Sequence, residues 1–154
     1  MAFSPRIFVD TNILLRISQQ GDPQHRLIKA SLDELNGQGI ELCFALQNIA
    51  EFWNVCTRPK DRNGYGLTIM ETDQRVAAIE RTMTFLPDIE QVYSIWRESV
   101  VTNNVRGVQV HDARLAAVMR AFGVTRILTL NQSDFLRYAG IQAVHPNQVQ
   151  SSPR

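Results

Sequence analysis

The side chains in this chain with the clearest chemical potential are four acids: Asp10, Glu51, Asp112 and Asp134. Asp10 directly follows the apolar run 7–9, which is typical of a buried strand in a parallel sheet. In open α/β folds ligands bind at the carboxyl ends of the strands, so an acid at this point is placed for chemistry. The alternative is that Asp10 or Asn12 only caps the helix that follows.

Glu51 lies in the segment 46–57, which is apolar around most of a helical circumference. At about 100° per residue, one narrow polar stripe remains on this helix, formed by Gln47, Glu51, Asn54 and Arg58. A helix that is buried on most sides keeps an acid where it meets solvent or a partner. The stripe is therefore either a functional surface or simply the exposed face of the helix.

The other two acids lie late in the chain. Asp112 is in the first turn of a helix predicted at 110–122, on the stripe that also carries Leu115 and Met119. The helix dipole favours an acid there, but it does not explain why the acid should face the core. Asp134 follows a strand predicted at 126–130, at the same sheet edge as Asp10 if the two strands are parallel. Its alternative role is to cap the turn before Phe135.

Acids gathered at one edge repel one another unless a cation neutralises them. Mg²⁺ and Mn²⁺ prefer oxygen ligands, and carboxylate clusters that hold them are typical of phosphoryl-transfer and nuclease sites. The polar loop 58–66 follows the Glu51 stripe, and its Arg58, Lys60 and Arg62 could clamp a nucleic-acid backbone while Tyr65 stacks a base. An ordinary solvated loop is the alternative.

The pattern along the chain predicts one domain of alternating strands and helices. Strands are predicted at 6–9, 40–44, 126–130 and 141–144, and helices at 12–18, 23–37, 46–57, 71–82, 88–102 and 110–122, with a short helical turn at 132–138. Asp22-Pro23 is read as the N-cap and first residue of the second helix. The alternation predicts a three-layer α/β/α sandwich with a mostly parallel central sheet. The domain is expected to span 1–146, with 147–154 as a flexible tail.

Composition and missing motifs exclude several classes of protein. The 154 residues are 44% hydrophobic and 20% charged, which is ordinary for a globular domain. Without a membrane-length apolar run or a signal peptide, and with Cys43 and Cys56 unclustered, we expect a cytoplasmic protein with free thiols and no membrane partner. A P-loop motif is missing, and Asn12 stands where a dehalogenase-type site requires an acid. Fourteen arginines against two lysines favour phosphate contacts, although a GC-rich genome gives the same bias.

Taken in order, these motifs resemble the PIN domain family, and most of all its VapC-type toxins. The resemblance rests on Val9-Asp10-Thr11-Asn12, on Glu51 in an apolar helix, on His111-Asp112-Ala113 and on the segment 128–135, and it covers residues 6–146. It implies an endoribonuclease that depends on Mg²⁺ or Mn²⁺, with one or two ions. It further implies that RNA is the substrate, that a cognate antitoxin is a partner and that the chain forms a homodimer.

The resemblance also assigns roles to residues. Asp10, Glu51 and Asp112 match the family's catalytic, metal-binding acids, and Thr11 and Asn12 match a polar pair that supports them. Many members carry an acid where this chain has Asn131, so either Asn131 or Asp134 completes the metal site. Because that position is incomplete, a non-catalytic PIN-fold module that binds RNA or a protein is the alternative function.

Overall fold

A computed structural model describes residues 5–149 of the chain. Its strands are β1 (Arg6–Val9), β2 (Glu41–Ala45), β3 (Thr84–Leu86), β4 (Arg126–Leu128) and β5 (Gln142–Val144). They form one sheet in the order β3-β2-β1-β4-β5, and every neighbouring pair is parallel. The predicted parallel α/β architecture is therefore confirmed.

Six α-helices cover the sheet: α1 (Thr11–Ile17), α2 (His25–Gly37), α3 (Leu46–Thr57), α4 (Ile69–Thr82), α5 (Glu90–Thr102) and α6 (Val110–Ala121). Helices α1 to α4 pack on one face and α5 and α6 on the other, which gives three layers. Among the described residues, none of these helices has the length and apolar content needed to span a bilayer.

Alternation along the strands divides the buried side chains between two cores. In β1, Ile7 and Val9 join the core under α1 to α4, whereas Phe8 joins the core under α5 and α6. Leu42 and Cys43 of β2 divide in the same way. Successive side chains of a strand point to opposite faces, so continuous apolar runs are what a sheet covered on both faces requires.

The strand order has a switch point between β1 and β4. The chain moves outward from β1 through β2 to β3, then returns to the other side of β1 for β4 and β5. Ligand sites of open α/β sheets lie at the carboxyl ends of the strands on either side of such a point. The Asp10 amide donates to the carbonyl of Leu128 across it, at 3.0 Å, so the residue after β1 is fixed against the end of β4.

The prediction missed one strand and displaced several element boundaries by a few residues. Strand β3 was not expected at all, because three residues carry no periodicity of their own and this strand is specified by its pairing with β2. Helix α2 begins at His25, not at 23, because Asp22 accepts hydrogen bonds from the Gln24 amide and the Arg16 guanidinium instead of capping a helix at Pro23. Strand β4 ends at Leu128, two residues early, and the turn after it is the short 3₁₀ segment Gln132–Phe135.

The end of the described chain is ordered against the domain. Residues Pro146–Gln148 form a 3₁₀ turn, with Pro146 buried, and Val149 packs against the core under α1 to α4. Of the predicted tail 147–154, residues 150–154 lie outside the described residues.

Candidate active site

Asp10 is buried at the carboxyl end of β1, with only 8% of its surface exposed. Its Oδ1 accepts the Thr11 amide at 2.8 Å, so the predicted capping role is real. Its Oδ2 accepts the Thr129 hydroxyl at 2.7 Å and the Asn12 side-chain amide at 3.4 Å. Asp10 is therefore both the cap of α1 and a carboxylate fixed from two strand ends.

Glu51 reaches the same place from α3. The Thr11 hydroxyl donates to its Oε2 at 2.7 Å, and the Gln47 side-chain amide donates to its Oε1 at 2.7 Å. Thr11 is itself held by the Asn48 amide, which donates to the threonine oxygen at 3.1 Å. The polar stripe on α3 therefore faces the end of β1 at Gln47 and Glu51.

Asp112 and Asp134 complete the acidic group from the other side of the switch point. Asp112 is half-buried in the first turn of α6, and Asp134 is exposed on the 3₁₀ turn after β4. Within residues 5–149 the Asp112 carboxylate makes no hydrogen bond and no ion pair. Its position therefore depends on how the first turn of α6 is held.

The four acids influence one another electrostatically. The pKa of Asp10 is raised to about 6, mainly by burial and also by the charges of Glu51 and Asp134, against the lowering effect of hydrogen bonds from Thr129 and Thr11. Burial also raises the pKa of Asp112 to about 7, with contributions from Asp134, Asp10 and Glu51. These acids therefore form one electrostatic unit with an excess of negative charge.

The chemistry of this donor set fits a hard divalent cation. Carboxylate oxygens are the ligands that Mg²⁺ and Mn²⁺ prefer, and a cation would offset both the burial and the mutual repulsion that raise the two pKa values. Between Pro5 and Val149, no three His, Cys, Asp or Glu side chains lie close enough together to form a ready-made metal cage.

The polar residues expected to support the acids lie beside them. Thr11 and Asn12 make the bonds to Glu51 and Asp10 given above, and the Asn12 side-chain oxygen also accepts the Leu130 amide at 3.4 Å. Asn131 is exposed, and its carbonyl accepts the Asp134 amide at 3.1 Å. Asn131 and Asp134 therefore share one turn next to Asp10.

The predicted substrate-binding residues Asn54, Arg58, Lys60 and Arg62 lie on α3 and on the loop 58–66. Asn54, Lys60 and Arg62 are exposed, whereas the Arg58 guanidinium donates to the Asn63 carbonyl at 3.0 Å and so holds the loop itself. Among residues 5–149, no hydrogen bond or ion pair joins these four side chains to the acids.

The loop is closely packed against the end of α3. The Tyr65 amide donates to the Val55 carbonyl at 2.9 Å, and the Leu67 amide donates to the Cys56 carbonyl at 2.8 Å. A Cβ at Gly64 would lie 1.9 Å from the Arg58 carbonyl oxygen, so only glycine fits there.

The sequence did not reveal the supporting roles of four residues of the site, although Gln47 and Thr129 lie in the stripe and the motif described above. Gln47 and Asn48 hold Glu51 and Thr11, Thr129 holds Asp10, and Arg137 is the cation that lowers the pKa of Asp112. For Gln47 a signal was present, since it precedes Glu51 by one helical turn on the same polar stripe. Thr129 stands in a recognised motif, but only the tertiary contact reveals its partner.

Comparisons with a family model and with solved structures agree on the family and the fold of this chain. A family model described as PIN domain matches residues 7–141. Among solved structures, the chain resembles VapBC2 of Rickettsia felis bound to a promoter DNA fragment, with a TM-score of 0.68, 12% identity, and 91% of this chain and 98% of that chain covered.

Two further structures show the same fold. For VapC20 of Mycobacterium tuberculosis, described as a toxin that cleaves the sarcin–ricin loop, the TM-score is 0.58 and the identity 21%, over 79% of this chain and 86% of that one. For VapBC-1 of nontypeable Haemophilus influenzae the TM-score is 0.64 and the identity 18%, over 92% and 98%. No curated protein matches the chain.

Proposed function

The chain belongs to the PIN domain family, and from this we propose that it is a divalent-metal-dependent endoribonuclease that acts as the toxin of a type II toxin–antitoxin pair. One observation carries the proposal. Asp10 and Asp112 come from separate elements on opposite sides of the switch point, and burial together with the neighbouring acids raises both pKa values toward neutrality. Such shifts cluster at functional sites.

Each residue has a defined task in this proposal. Asp10 and Asp112, with Glu51 either as a further ligand or orienting the water, would hold Mg²⁺ or Mn²⁺, which would stabilise charge on the phosphodiester and lower the pKa of a bound water. Thr129 and the Thr11 amide fix the Asp10 oxygens. Asp134 or Asn131 completes the ligand set. Hydrolysis leaves a 5′-phosphate and a 3′-hydroxyl.

The substrate and partner are proposed from the relatives. VapC20 is described as cleaving the sarcin–ricin loop, and several of the similar structures are toxin–antitoxin complexes. By the same reasoning RNA is the substrate of this chain and a small antitoxin is its partner in the cytoplasm. Homodimerisation stays a prediction.

A specific observation favours a second candidate, a non-catalytic PIN-fold module that binds RNA or a protein. In the described part of the chain, no three His, Cys, Asp or Glu side chains are grouped so that they could hold one ion, and Asn131 stands where the resemblance to the family leads us to expect an acid. This candidate retains the fold and the acidic surface but predicts no cleavage.

The deciding experiment is cleavage of total cellular RNA by the wild type, Asp10→Asn and Glu41→Gln, each with Mg²⁺, Mn²⁺ or EDTA. We expect discrete cuts by the wild type and Glu41→Gln that need metal and are lost in Asp10→Asn. Equal cleavage by Asp10→Asn would exclude the assigned site. If the wild type binds Mn²⁺ but cuts no RNA, the binding module is favoured.

A further inference from the structure

Gln47 is a buried polar residue that the proposed reaction leaves without a task. It lies in the first turn of α3 with 7% of its surface exposed. Both of its N–H groups are used: one donates to Glu51 Oε1 at 2.7 Å and the other to the His111 carbonyl at 2.8 Å. A single side chain thereby joins the acid of α3 to the first turn of α6.

The other end of the same amide is unsatisfied. The Gln47 Oε1 atom is buried and has no hydrogen-bond partner in the part of the chain that the structure describes. A buried acceptor without a partner is destabilising, and an apolar side chain of similar shape would avoid the penalty. Gln47 is therefore poorly explained as a core residue and better explained by the two groups to which it donates.

The first of these groups is the carboxylate of Glu51 itself, and the second is the backbone carbonyl of the residue before Asp112; the two acids are otherwise held very differently. Glu51 is held on both oxygens, by Thr11 and by Gln47. Asp112 has no side-chain partner within residues 5–149, so its position depends on how the first turn of α6 is held. On one side the Trp96 indole donates to the Val110 carbonyl at 3.0 Å, and on the other Gln47 donates to His111.

We propose that Gln47 is a positioning residue that fixes the separation between Glu51 and Asp112, so that acids on two different helices act as one site. This rests on the proposed function for its chemical consequence, whereas the positioning itself is a property of the metal-free protein. Residues that orient metal ligands through hydrogen bonds are worth about 10- to 100-fold in metal affinity or activity.

The test uses Gln47→Met, which keeps the length and volume of the side chain but removes both donors and the unpaired acceptor. In the metal-free protein we expect the amides of Arg114 and Leu115 to exchange their hydrogens about 10-fold faster, with little change elsewhere. The matched control is Gln74→Met, at an exposed position of α4, which should leave this exchange unchanged. Unchanged exchange at Arg114 and Leu115 in Gln47→Met would overturn the proposal.

Metal binding and kinetics provide the second measurement. We expect Gln47→Met to bind Mn²⁺ about 10- to 100-fold more weakly and to lower kcat by a similar factor, with KM for RNA unchanged. Gln47→Glu keeps the shape but replaces a donor with a like charge beside Glu51, so it should be at least as defective. Wild-type Mn²⁺ affinity and kcat in both variants would reduce Gln47 to a packing residue.

The two hypotheses fail in different ways. If the wild type neither binds Mn²⁺ nor cuts RNA, the proposed function falls, while the exchange measurement still reads the effect of Gln47 on α6. If the wild type is active and Asp10→Asn is inactive, but Gln47→Met matches the wild type in exchange and in metal affinity, only the positioning role is lost.

Discussion

Acids at the two edges of the same sheet differ in their bonding partners and in the direction in which their pKa values are shifted. At the amino edge, Glu41 begins β2 and accepts the Thr84 hydroxyl at 2.5 Å and the Arg6 guanidinium at 2.9 Å. Hydrogen bonds from Thr84 and Arg6 lower the pKa of Glu41. At the carboxyl edge, no Lys, Arg or His among residues 5–149 forms an ion pair with Asp10 or Asp112, and their pKa values are raised to about 6 and about 7.

The contrast separates an acid used for structure from acids available for chemistry. A charged group that serves the fold is paired where it stands, and removing either partner of a surface pair has a small effect. Acids that are gathered without a cation destabilise the fold unless an ion or ligand neutralises them, which is typical of functional sites. The size of a cavity alone does not identify the functional edge of the sheet, because a cavity of about 570 Å³ lies at the amino edge between Arg6, Glu41 and Arg126.

The largest expected effect is on activity. We expect Asp112→Asn to lower metal-dependent RNA cleavage by roughly 10³-fold, equivalent to about 4 kcal/mol of transition-state stabilisation. Glu41→Gln should stay within a few-fold of the wild type. Single-turnover cleavage of one RNA by both variants is the measurement. Similar losses in the two variants would show that the edges do not differ in function.

The next effect is on the pH dependence of stability without metal. A carboxyl group whose pKa is raised in the folded state binds protons more tightly there than in the unfolded chain. Its contribution to the free energy of unfolding is therefore fully present below about pH 4. That contribution is lost as pH rises through about 6 for Asp10 and about 7 for Asp112. The shift of Asp10 from 3.8 to about 6 corresponds to on the order of 3 kcal/mol. Urea unfolding in EDTA should therefore give a higher free energy of unfolding at pH 5 than at pH 8.

Two variants serve as controls for this pH dependence. Asp112→Asn should flatten the decline and melt higher than the wild type at pH 8, because a repelled carboxylate without hydrogen bonds is removed. Asp10→Asn is expected to change in the same direction, although it also weakens the cap of α1. Glu41, whose pKa is lowered, contributes a pH dependence in the opposite direction, because its contribution to the free energy of unfolding is lost as pH falls below about 4.5. A metal-free protein that became more stable from pH 5 to pH 8 would contradict the comparison.

A somewhat smaller effect is expected from adding the cation. At a concentration of about 100 times its dissociation constant, a ligand that binds only the folded state adds about 2.7 kcal/mol. Mn²⁺ should therefore raise the Tm of the wild type and of Glu41→Gln, and EDTA should reverse the shift. Thermal melts of Asp10→Asn should show little response. If Mn²⁺ raised the Tm of Asp10→Asn as much as that of the wild type, the ion would bind at a different site.

The smallest effects on the free energy of unfolding are expected from the two threonines that donate hydrogen bonds to Asp10 and Glu41. Thr129→Val removes the donor to Asp10 Oδ2 at a fully buried position, and we expect a loss of about 1–2 kcal/mol at pH 8 that becomes smaller at pH 5, where Asp10 is protonated. Thr84→Val removes the donor to the more exposed Glu41 and should have an effect of about 0.5 kcal/mol or less. Chemical denaturation at both pH values measures them.

The elements that carry the acids could be predicted because their signals are local. The apolar run of β1 ends at Asp10, and α3 was predicted with the bounds it has, 46–57, because its apolar circumference and the following Arg58-Pro59 mark both ends. The three-layer arrangement follows from the alternation of such segments. The acids were expected at one edge because parallel strands end together.

What could not be predicted depends on tertiary partners. Strand β3 exists because Thr84, Phe85 and Leu86 pair with β2, and nothing within those three residues specifies it. The pairing of Gln47 with His111 and of Thr129 with Asp10 spans 64 and 119 residues of sequence. Such bonds can be seen only once the strand order is known.

The loop after α3 shows how tight packing affects recognition. Its backbone is pinned to the end of the helix by Tyr65 and Leu67, and Gly64 lies against Arg58 with no room for a side chain. Lys60 and Arg62 are therefore presented from a preorganised scaffold, whose conformational entropy has already been lost when the chain folds. A polyanion that meets these two cations needs to order only their side chains, so more of each contact contributes to affinity than on a flexible loop.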